Sequence, residues 1–134
     1  MSEKTLHKGL MRPLLKLLHD EEGYGKDEYE MRREIINRIT GDECAKVLIF
    51  GCGNIGYETY VWLKCNRIKP VAFIDNDKRL WDKSIDSIPV INPNTLNEEM
   101  KKNIFLVANE KYAKQISKQL VDTGVNKGNI YAVR

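Results

Sequence analysis

Three glycines and one acid carry the chemistry that this sequence can be expected to perform. Gly51, Gly53 and Gly56 form a G-x-G-x-x-G motif, which follows the apolar run 47–50 and opens a segment compatible with a helix. A second apolar run ends at Asp75, near the roughly 20 residues expected after the first glycine of a dinucleotide-binding motif. The glycines alone are a weak signal, but in this context they predict that the chain binds a dinucleotide.

Each position of the motif has a separate expected task. Gly51 permits a tight turn at positive φ, Gly53 leaves room for a pyrophosphate, and Gly56 allows the helix to pack closely. The N–H groups near Asn54 and Ile55 are expected to face the anion, aided by the helix dipole. The alternative is a glycine turn kept for packing alone, in a domain that binds nothing.

Further candidates lie at the predicted carboxyl ends of later strands. Asp75, with Asn76 beside it, is expected to accept hydrogen bonds from a ribose, while Asn109 either contacts a ribose or sugar or caps the next helix. Lys78 and Arg79 either reach the 2′-phosphate of NADP or lie on a solvated face. Because Asp75 would repel that phosphate, NAD is preferred over NADP, with a nucleotide-sugar as a further alternative. The predicted cofactor-binding residues are Gly51, Gly53, Asn54, Ile55, Gly56, Asp75, Asn76 and Asn109.

No catalytic residue is predicted. Tyr60 and Lys64 have the spacing of the catalytic pair of short-chain dehydrogenases, but they fall in the helix after the glycine turn, so we interpret the match as chance. His7 and His19 precede the segment that would hold a site, which argues against a histidine base. Cys52 lies where a helix start would stabilise a thiolate, although a requirement for a small residue is the preferred explanation.

Composition narrows the class of protein. The 134 residues are enough for one domain, and the net charge of +3 is spread along the chain, which predicts no nucleic-acid partner. No apolar run is long enough to cross a membrane, and the absence of a signal peptide predicts a soluble, cytoplasmic protein. The three cysteines fit neither a disulfide framework nor a zinc site, and 75–77 offers too few carboxylates for another metal.

Residues 1–44 are predicted to form a helical arm. One helix is expected over 12–19, and a second begins near Asp27, carries an apolar face and ends at Gly41. In the preferred interpretation the arm packs on the sheet or on a twin subunit, which would give a homodimer. In the alternative it docks a partner protein such as an enzyme.

Residues 45–134 alternate strands and helices, which indicates a parallel sheet covered on both faces. The prediction is a three-layer α/β, Rossmann-like domain with a short, mostly parallel five-stranded sheet. The expected strands cover 46–50, 70–75, 88–91, 103–108 and 129–133, with a polar loop at 76–87 and helices over 55–65, 94–101 and 111–122. Pro89 suggests that the third strand lies at the sheet edge.

The order of three segments resembles a known group of domains. The glycine turn at 51–56, Ile-Asp-Asn-Asp at 74–77 and Ile-Pro-Val-Ile at 88–91 are similar to nucleotide-binding domains of bacterial surface-polysaccharide and sugar-nucleotide enzymes, including the nucleoside-diphosphate-sugar epimerase-like domains. The similarity covers about 45–134. It implies a ligand over Gly51, Gly53, Asn54 and Ile55 and beside Asp75. The chain departs from the group at Ser87, where a glycine is frequent.

Together these features predict a nucleotide-binding module for NAD or a nucleotide-sugar, serving sugar or polysaccharide metabolism without a complete catalytic site. Whether the chain is an enzyme stays open. One alternative is an NAD-dependent sugar-nucleotide epimerase or oxidoreductase component that a partner completes. Another is a protein-interaction domain that has lost its ligand, which a glycine turn filled by side chains would favour.

Overall fold

The computed structural model describes residues 28–42 and 45–133. The chain divides into two units, Met1–Asn37 and Arg38–Arg134. The first helix, α1, covers Glu28–Gly41, which confirms the predicted helix and its end at Gly41. The helix expected over 12–19, both histidines and Cys44 lie outside the described residues.

Within the described residues, six strands form one sheet. They are β1 (Val47–Phe50), β2 (Ala72–Ile74), β3 (Ser84–Ile85), β4 (Ile88–Ile91), β5 (Ile104–Val107) and β6 (Ile130–Ala132), in the spatial order β3-β4-β2-β1-β5-β6. All neighbouring strands are parallel except β3 and β4. Helix α2 (Asn54–Cys65) follows β1, and α3 (Ala113–Thr123) follows β5. The predicted mixed α/β class is confirmed.

The two central strands explain where the core lies. Every residue of β1 and β5 is buried, as expected of parallel strands covered on both faces, which read as continuous apolar runs. Leu48 lies opposite Ala72 on one side and Phe105 on the other. Because β2 and β5 flank β1 on opposite sides, the strand order reverses at β1, and ligands of open α/β sheets bind beside such a reversal.

The last turn of α1 is joined to the region of β6. Arg38 donates hydrogen bonds to the Gly128 carbonyl at 2.8 Å, to Asn129 Oδ1 at 2.6 Å and to the Tyr131 hydroxyl at 2.9 Å. Its guanidinium also lies 5.7 Å from the centre of the Tyr131 ring, within range of a cation–π contact. Arg38 belongs to the second unit, so these contacts are made within the unit that carries the sheet.

The sheet has one strand more than the five predicted. The polar loop expected at 76–87 contains β3, which pairs antiparallel with β4 through a two-residue turn. Both turn residues have positive φ, 50° at Asp86 and 70° at Ser87, as a type I′ hairpin turn requires. The edge position inferred from Pro89 is therefore wrong, because β3 covers the outer side of β4.

Ser87 is expected to be less favourable than glycine at this turn. Replacing Ser87 by glycine should raise the free energy of unfolding by about 0.5–1 kcal/mol, because a left-handed backbone costs other L-residues about 1–2 kcal/mol while glycine adopts it freely. Ser84→Gly is the matched control, since Ser84 lies in β3 itself, where glycine weakens a strand. Urea denaturation should give opposite signs for the two variants, and equal signs would contradict the prediction.

One of the two later predicted helices is absent from the described residues and the other is present. The helix expected over 94–101 is replaced by two 3₁₀ turns, Pro93–Thr95 and Met100–Lys102. Asn97 Oδ1 accepts the Met100 N–H at 2.8 Å, so a side chain caps a new turn where a helix would have continued. Helix α3 ends at Thr123, and Gly124, the glycine predicted just beyond its end, follows with a φ of 114°. No helix of the described residues is long and apolar enough to span a bilayer.

Candidate functional site

The glycine turn lies between β1 and α2, at the point where the strand order reverses. Gly51 has a φ of 124°, and its N–H donates to the Ile74 carbonyl at 2.7 Å. A Cβ at Gly51 would lie 2.6 Å from the Ala108 carbonyl oxygen, and a Cβ at Gly56 would overlap the Gly51 carbonyl. Packing of the protein against itself therefore requires glycine at both positions.

Gly53 differs from its two neighbours in the motif. Its φ of −81° and ψ of −160° are open to any residue, and nothing lies within 4 Å of where its Cβ would be. It is the N-cap of α2 and supplies no side-chain cap. Neither backbone conformation nor packing in the free protein explains glycine at this position.

Helix α2 begins directly after this open position. Its first intrahelical bond runs from the Tyr57 N–H to the Gly53 carbonyl at 3.0 Å. The N–H groups of Asn54, Ile55 and Gly56 precede that bond, so they have no carbonyl partner within the helix. Such N–H groups, with the positive end of the helix dipole, form an anion-binding site when an anion can approach.

Asp75 ties the end of β2 to the glycine turn. Its Oδ2 accepts the Cys52 N–H at 3.1 Å, and its Oδ1 accepts the Asp77 N–H at 2.8 Å. The Trp81 indole donates to the Asp75 carbonyl at 2.7 Å. Because each carboxylate oxygen can accept more than one hydrogen bond, Asp75 holds the turn and can still accept from a ribose.

Cys52 does not have the chemistry that its position at a helix start suggested. Burial first, and then the negative charge of Asp75, raise the pKa of Cys52 to about 12. The side chain is therefore a neutral thiol at pH 7, because burial and the neighbouring carboxylate both disfavour the thiolate. This agrees with the interpretation that a small residue is needed here.

A cleft of about 280 Å³ lies beside the turn, at the carboxyl ends of the strands. Its lining residues are Phe50, Gly51, Asp75, Asn76, Asn109, Tyr112, Gln115, Ile116 and Gln119. Asn76 and Gln119 join across it through two reciprocal hydrogen bonds, of 3.0 and 2.9 Å, between their side-chain amides. The volume is at the small end of ligand pockets and is suited to one nucleoside rather than a whole dinucleotide.

Asn109 lines this cleft but has a structural task as well. Its Oδ1 accepts the Tyr112 N–H at 2.8 Å, so it caps the turn that leads into α3. Of the two alternatives for Asn109, capping is the one that the geometry shows. The ribose contact stays a prediction.

Lys78 and Arg79 do not point to NADP. Arg79 makes two side-chain hydrogen bonds to the Asp77 carboxylate, at 3.0 and 2.9 Å, and its own side chain is highly exposed. The Arg79 hydrogen bonds lower the pKa of Asp77. Lys78 is also exposed. Both basic residues thus belong to a solvated surface, and the guanidinium already has an anionic partner.

Tyr60 and Lys64 lie away from the cleft, as expected for a chance match. Tyr60 is buried on α2, with its ring 5.9 Å from that of Phe73, and the Lys64 ammonium lies 5.9 Å from the Tyr60 ring centre. Burial first, and then a hydrogen bond to Asp86, raise the pKa of Tyr60, which disfavours a phenolate base.

The structure brings the predicted residues from three strand ends to one place. The glycine turn, Asp75, Asn76 and Asn109 all border the cleft or the helix start beside it. Sequence reasoning missed Tyr112, Gln115 and Gln119. Gln115 and Gln119 are four residues apart on a helix that follows a central strand, and that spacing was the signal available.

The model of the family described as C2185-like, N-terminal matches residues 43–131. Among curated proteins, the redox-sensing transcriptional repressor Rex of Streptococcus uberis is 25% identical over 111 residues, which cover 77% of this chain and 52% of the repressor. The chain therefore spans about half the length of that relative.

Three similar solved structures share the fold. RSP, a Rex-family repressor, has a TM-score of 0.50 and 21% identity, covering 81% of this chain and 55% of RSP. The complex of RSP with beta-NAD+ and operator DNA has a TM-score of 0.52 and 14% identity, covering 87% and 66%. UDP-D-quinovosamine 4-dehydrogenase from Vibrio fischeri has a TM-score of 0.50 and 24% identity, covering 60% and 72%. At these identities the likeness establishes the Rossmann-like fold.

Two expectations change with these findings. The prediction of no nucleic-acid partner is contradicted, because a protein of this fold, RSP, was solved with operator DNA. The prediction rested on the net charge of this chain, which covers 66% of that RSP structure. A net charge counted over this chain alone therefore does not exclude a nucleic-acid partner. The Rossmann-like part of the predicted resemblance is confirmed, but the matching family is C2185-like rather than epimerase-like.

Proposed function

The chain belongs to the C2185-like, N-terminal family, and from that premise we propose that it is an NAD-binding module whose ligand lies over the glycine turn. One observation carries the proposal. Glycine is required by packing at positions 51 and 56 but not at Gly53, where the space beside the backbone is open. A pyrophosphate that approaches the backbone there supplies the missing reason for glycine.

The surrounding groups fit the parts of NAD. The N–H groups of Asn54, Ile55 and Gly56 bind the pyrophosphate, and Asp75 accepts hydrogen bonds from the ribose diol. The nicotinamide would accept a hydride as NAD+ or donate one as NADH, and the residues of this chain would bind and orient the dinucleotide. Asp75 disfavours the 2′-phosphate of NADP, and Arg79, the cation that could offset this charge, is paired with Asp77. The open space at Gly53 argues against the interaction domain that has lost its ligand.

Binding rather than catalysis is the proposed activity. The described lining residues of the cleft include one carboxylate, Asp75, and one phenol, Tyr112, but neither a histidine nor a lysine. That set offers no obvious acid–base pair. The relatives support the ligand: RSP was solved with beta-NAD+, and Rex is described as redox-sensing. A sensing role would require the module to distinguish NAD+ from NADH.

A nucleotide-sugar is the second candidate ligand. It is favoured by the order of glycine turn, Ile-Asp-Asn-Asp at 74–77 and Ile-Pro-Val-Ile at 88–91, which resembles domains of sugar-nucleotide enzymes. The two candidates share the pyrophosphate contacts at the start of α2. They differ in the group beyond the second phosphate, so a direct comparison of ligands separates them.

The test is calorimetric titration of the nucleotide-stripped protein and its Gly53→Ser variant with NAD+, NADH, NADP and a UDP-sugar. Serine is a preferred N-cap residue, so the variant should be at least as stable as the parent, while its side chain fills the proposed pyrophosphate space. We expect NAD+ affinity to fall about tenfold or more, equivalent to about 1.4 kcal/mol.

Gly41→Ala is the matched control, because Gly41 also has open space around it and lies at the end of α1 rather than in the glycine turn. It should bind NAD+ as the parent does. Saturable binding of the UDP-sugar alone would favour the second candidate. A folded parent that binds none of the four ligands would contradict the proposal. That result would favour the alternative of a protein-interaction domain that has lost its ligand.

A further inference from the structure

Asn76 and Gln119 form a bridge that no prediction from the sequence contained. The residues are 43 positions apart, one directly after Asp75 and the other on α3, and their amides exchange two hydrogen bonds of 3.0 and 2.9 Å. Both line the cleft together with Asp75. The bridge is therefore a paired donor and acceptor fixed beside the proposed ribose position.

The bridge is open to exchange. Both hydrogen bonds are solvent-exposed, and a typical intramolecular hydrogen bond contributes little net stability because water can replace either partner. A ligand that offers one donor and one acceptor at matching positions can therefore replace Gln119 without leaving a polar group unpaired. Two hydrogen bonds are lost and two are formed.

We propose that Asn76 recognises the adenine base of the bound nucleotide, and that Gln119 holds the Asn76 amide in position until the base arrives. The inference rests on the proposed function, since it takes the Asp75 carboxylate as the ribose acceptor. The base is attached to that same ribose, which places it next to the residue that follows Asp75.

Adenine has the required pattern. Its N6 amino group donates and its N7 accepts, and the side-chain amide of Asn or Gln pairs with both at once. Hypoxanthine has the same shape but presents acceptors at both positions, because a carbonyl oxygen, O6, replaces the N6 amino group and N7 is unchanged. Reversing the amide cannot recover this loss, because one of its two ends is always a donor and the other an acceptor.

Asn76 is assigned as the recognising residue because its backbone is held on both sides. The Asp77 N–H donates to Asp75 Oδ1 at 2.8 Å, and the Trp81 indole holds the Asp75 carbonyl at 2.7 Å. Gln119 reaches the bridge from α3 by a longer side chain with more rotatable bonds. The residue that moves aside is therefore Gln119, a positioning residue, and Asn76 stays.

The experiment compares NAD+ with nicotinamide hypoxanthine dinucleotide, by calorimetry, on the parent and on Asn76→Ala and Gln119→Ala. We expect the parent to bind NAD+ about tenfold more tightly than the hypoxanthine analogue, and Asn76→Ala to bind the two about equally. Gln119→Ala should keep the preference. Asn66→Ala, which removes an exposed amide at the end of α2, is the control and should change neither affinity.

The outcomes separate this inference from the function on which it rests. Equal binding of the two dinucleotides by the parent, or a preference that survives Asn76→Ala, would overturn adenine recognition and leave NAD binding intact. A bridge that only fastens α3 would instead lower thermal stability equally in both variants with an unchanged affinity ratio. A folded parent that binds neither dinucleotide would overturn the proposed function and this inference together.

Discussion

Gly56→Ala is expected to lower the free energy of unfolding by about 3 kcal/mol or more, the largest stability effect among the glycine substitutions considered. The added Cβ would overlap the Gly51 carbonyl, and both groups belong to backbone that cannot rotate away. Overpacking of a tight site costs about 1–3 kcal/mol, and more where the surroundings cannot move. Urea denaturation monitored by circular dichroism measures the loss.

Gly53→Ala is the matched control for this prediction. The same substitution, three residues earlier, meets nothing within 4 Å and adopts no strained φ. It should change the free energy of unfolding by less than about 1 kcal/mol, because the lower entropy of the unfolded chain offsets the weaker N-cap. Similar losses in both variants would show that the turn is not built as described.

The glycine turn could be predicted because its signals are local. The apolar runs on either side and the spacing of Gly51, Gly53 and Gly56 were enough to place a strand, a turn and a helix. The positive φ at Gly51 and the tight packing of Gly56 are confirmed. The group that contacts Gly56 could not be predicted in the same way. The contact is made by the Gly51 carbonyl of the turn itself rather than by a neighbouring strand.

The hairpin at Asp86 and Ser87 was missed because its residues give a weak signal. An Asp-Gly pair between apolar runs is a strong indication of a type I′ turn, since both positions need positive φ. Here serine occupies the second position at a φ of 70°. The frequent glycine of the resembling domains, noted as a departure at Ser87, was the available clue to this backbone conformation.

The far side of the cleft could not be predicted from one sequence. The Asn76–Gln119 bridge joins residues 43 positions apart, and no pattern in the chain relates them. Asn109 shows the opposite case, since helix capping is local and was foreseen as one of two alternatives. Hydrogen bonds between residues close in the chain can thus be predicted from the sequence. Contacts between α3 and the strand ends cannot, because they depend on the folded sheet.

Asp75→Asn is expected to weaken both the fold and the proposed ligand site. The carboxylate accepts the Cys52 and Asp77 N–H groups at once, whereas an amide can accept only through its oxygen and turns a donor towards the other N–H. Hydrogen bonds to charged groups contribute about 1.5–3 kcal/mol, so stability should fall by about that amount. NAD+ affinity should fall about tenfold or more, because the ribose loses the same carboxylate.

The reactivity of the Cys52 thiol reports whether the Asp75 charge acts at the glycine turn. The Asp75 charge is the second cause, after burial, of a Cys52 pKa of about 12. Removing that charge lowers the pKa while burial continues to raise it, so the thiolate fraction at pH 8.5 increases. Iodoacetamide should therefore label Cys52 faster in Asp75→Asn than in the parent, as measured by mass spectrometry of the peptide.

Asp77→Asn is the control, because it also removes one negative charge, at a position two residues after Asp75. The Asp77 carboxylate is paired with the exposed Arg79. Exposed ion pairs contribute little, so its stability and NAD+ affinity should stay close to those of the parent. Cys52 labelling should rise only slightly, since Asp77 is the smallest contributor to its pKa.

If Asp75→Asn lost NAD+ affinity with unchanged stability and labelling, Asp75 would be a ligand contact that does not hold the turn. If stability fell and labelling rose with unchanged affinity, Asp75 would hold the turn without touching the ribose.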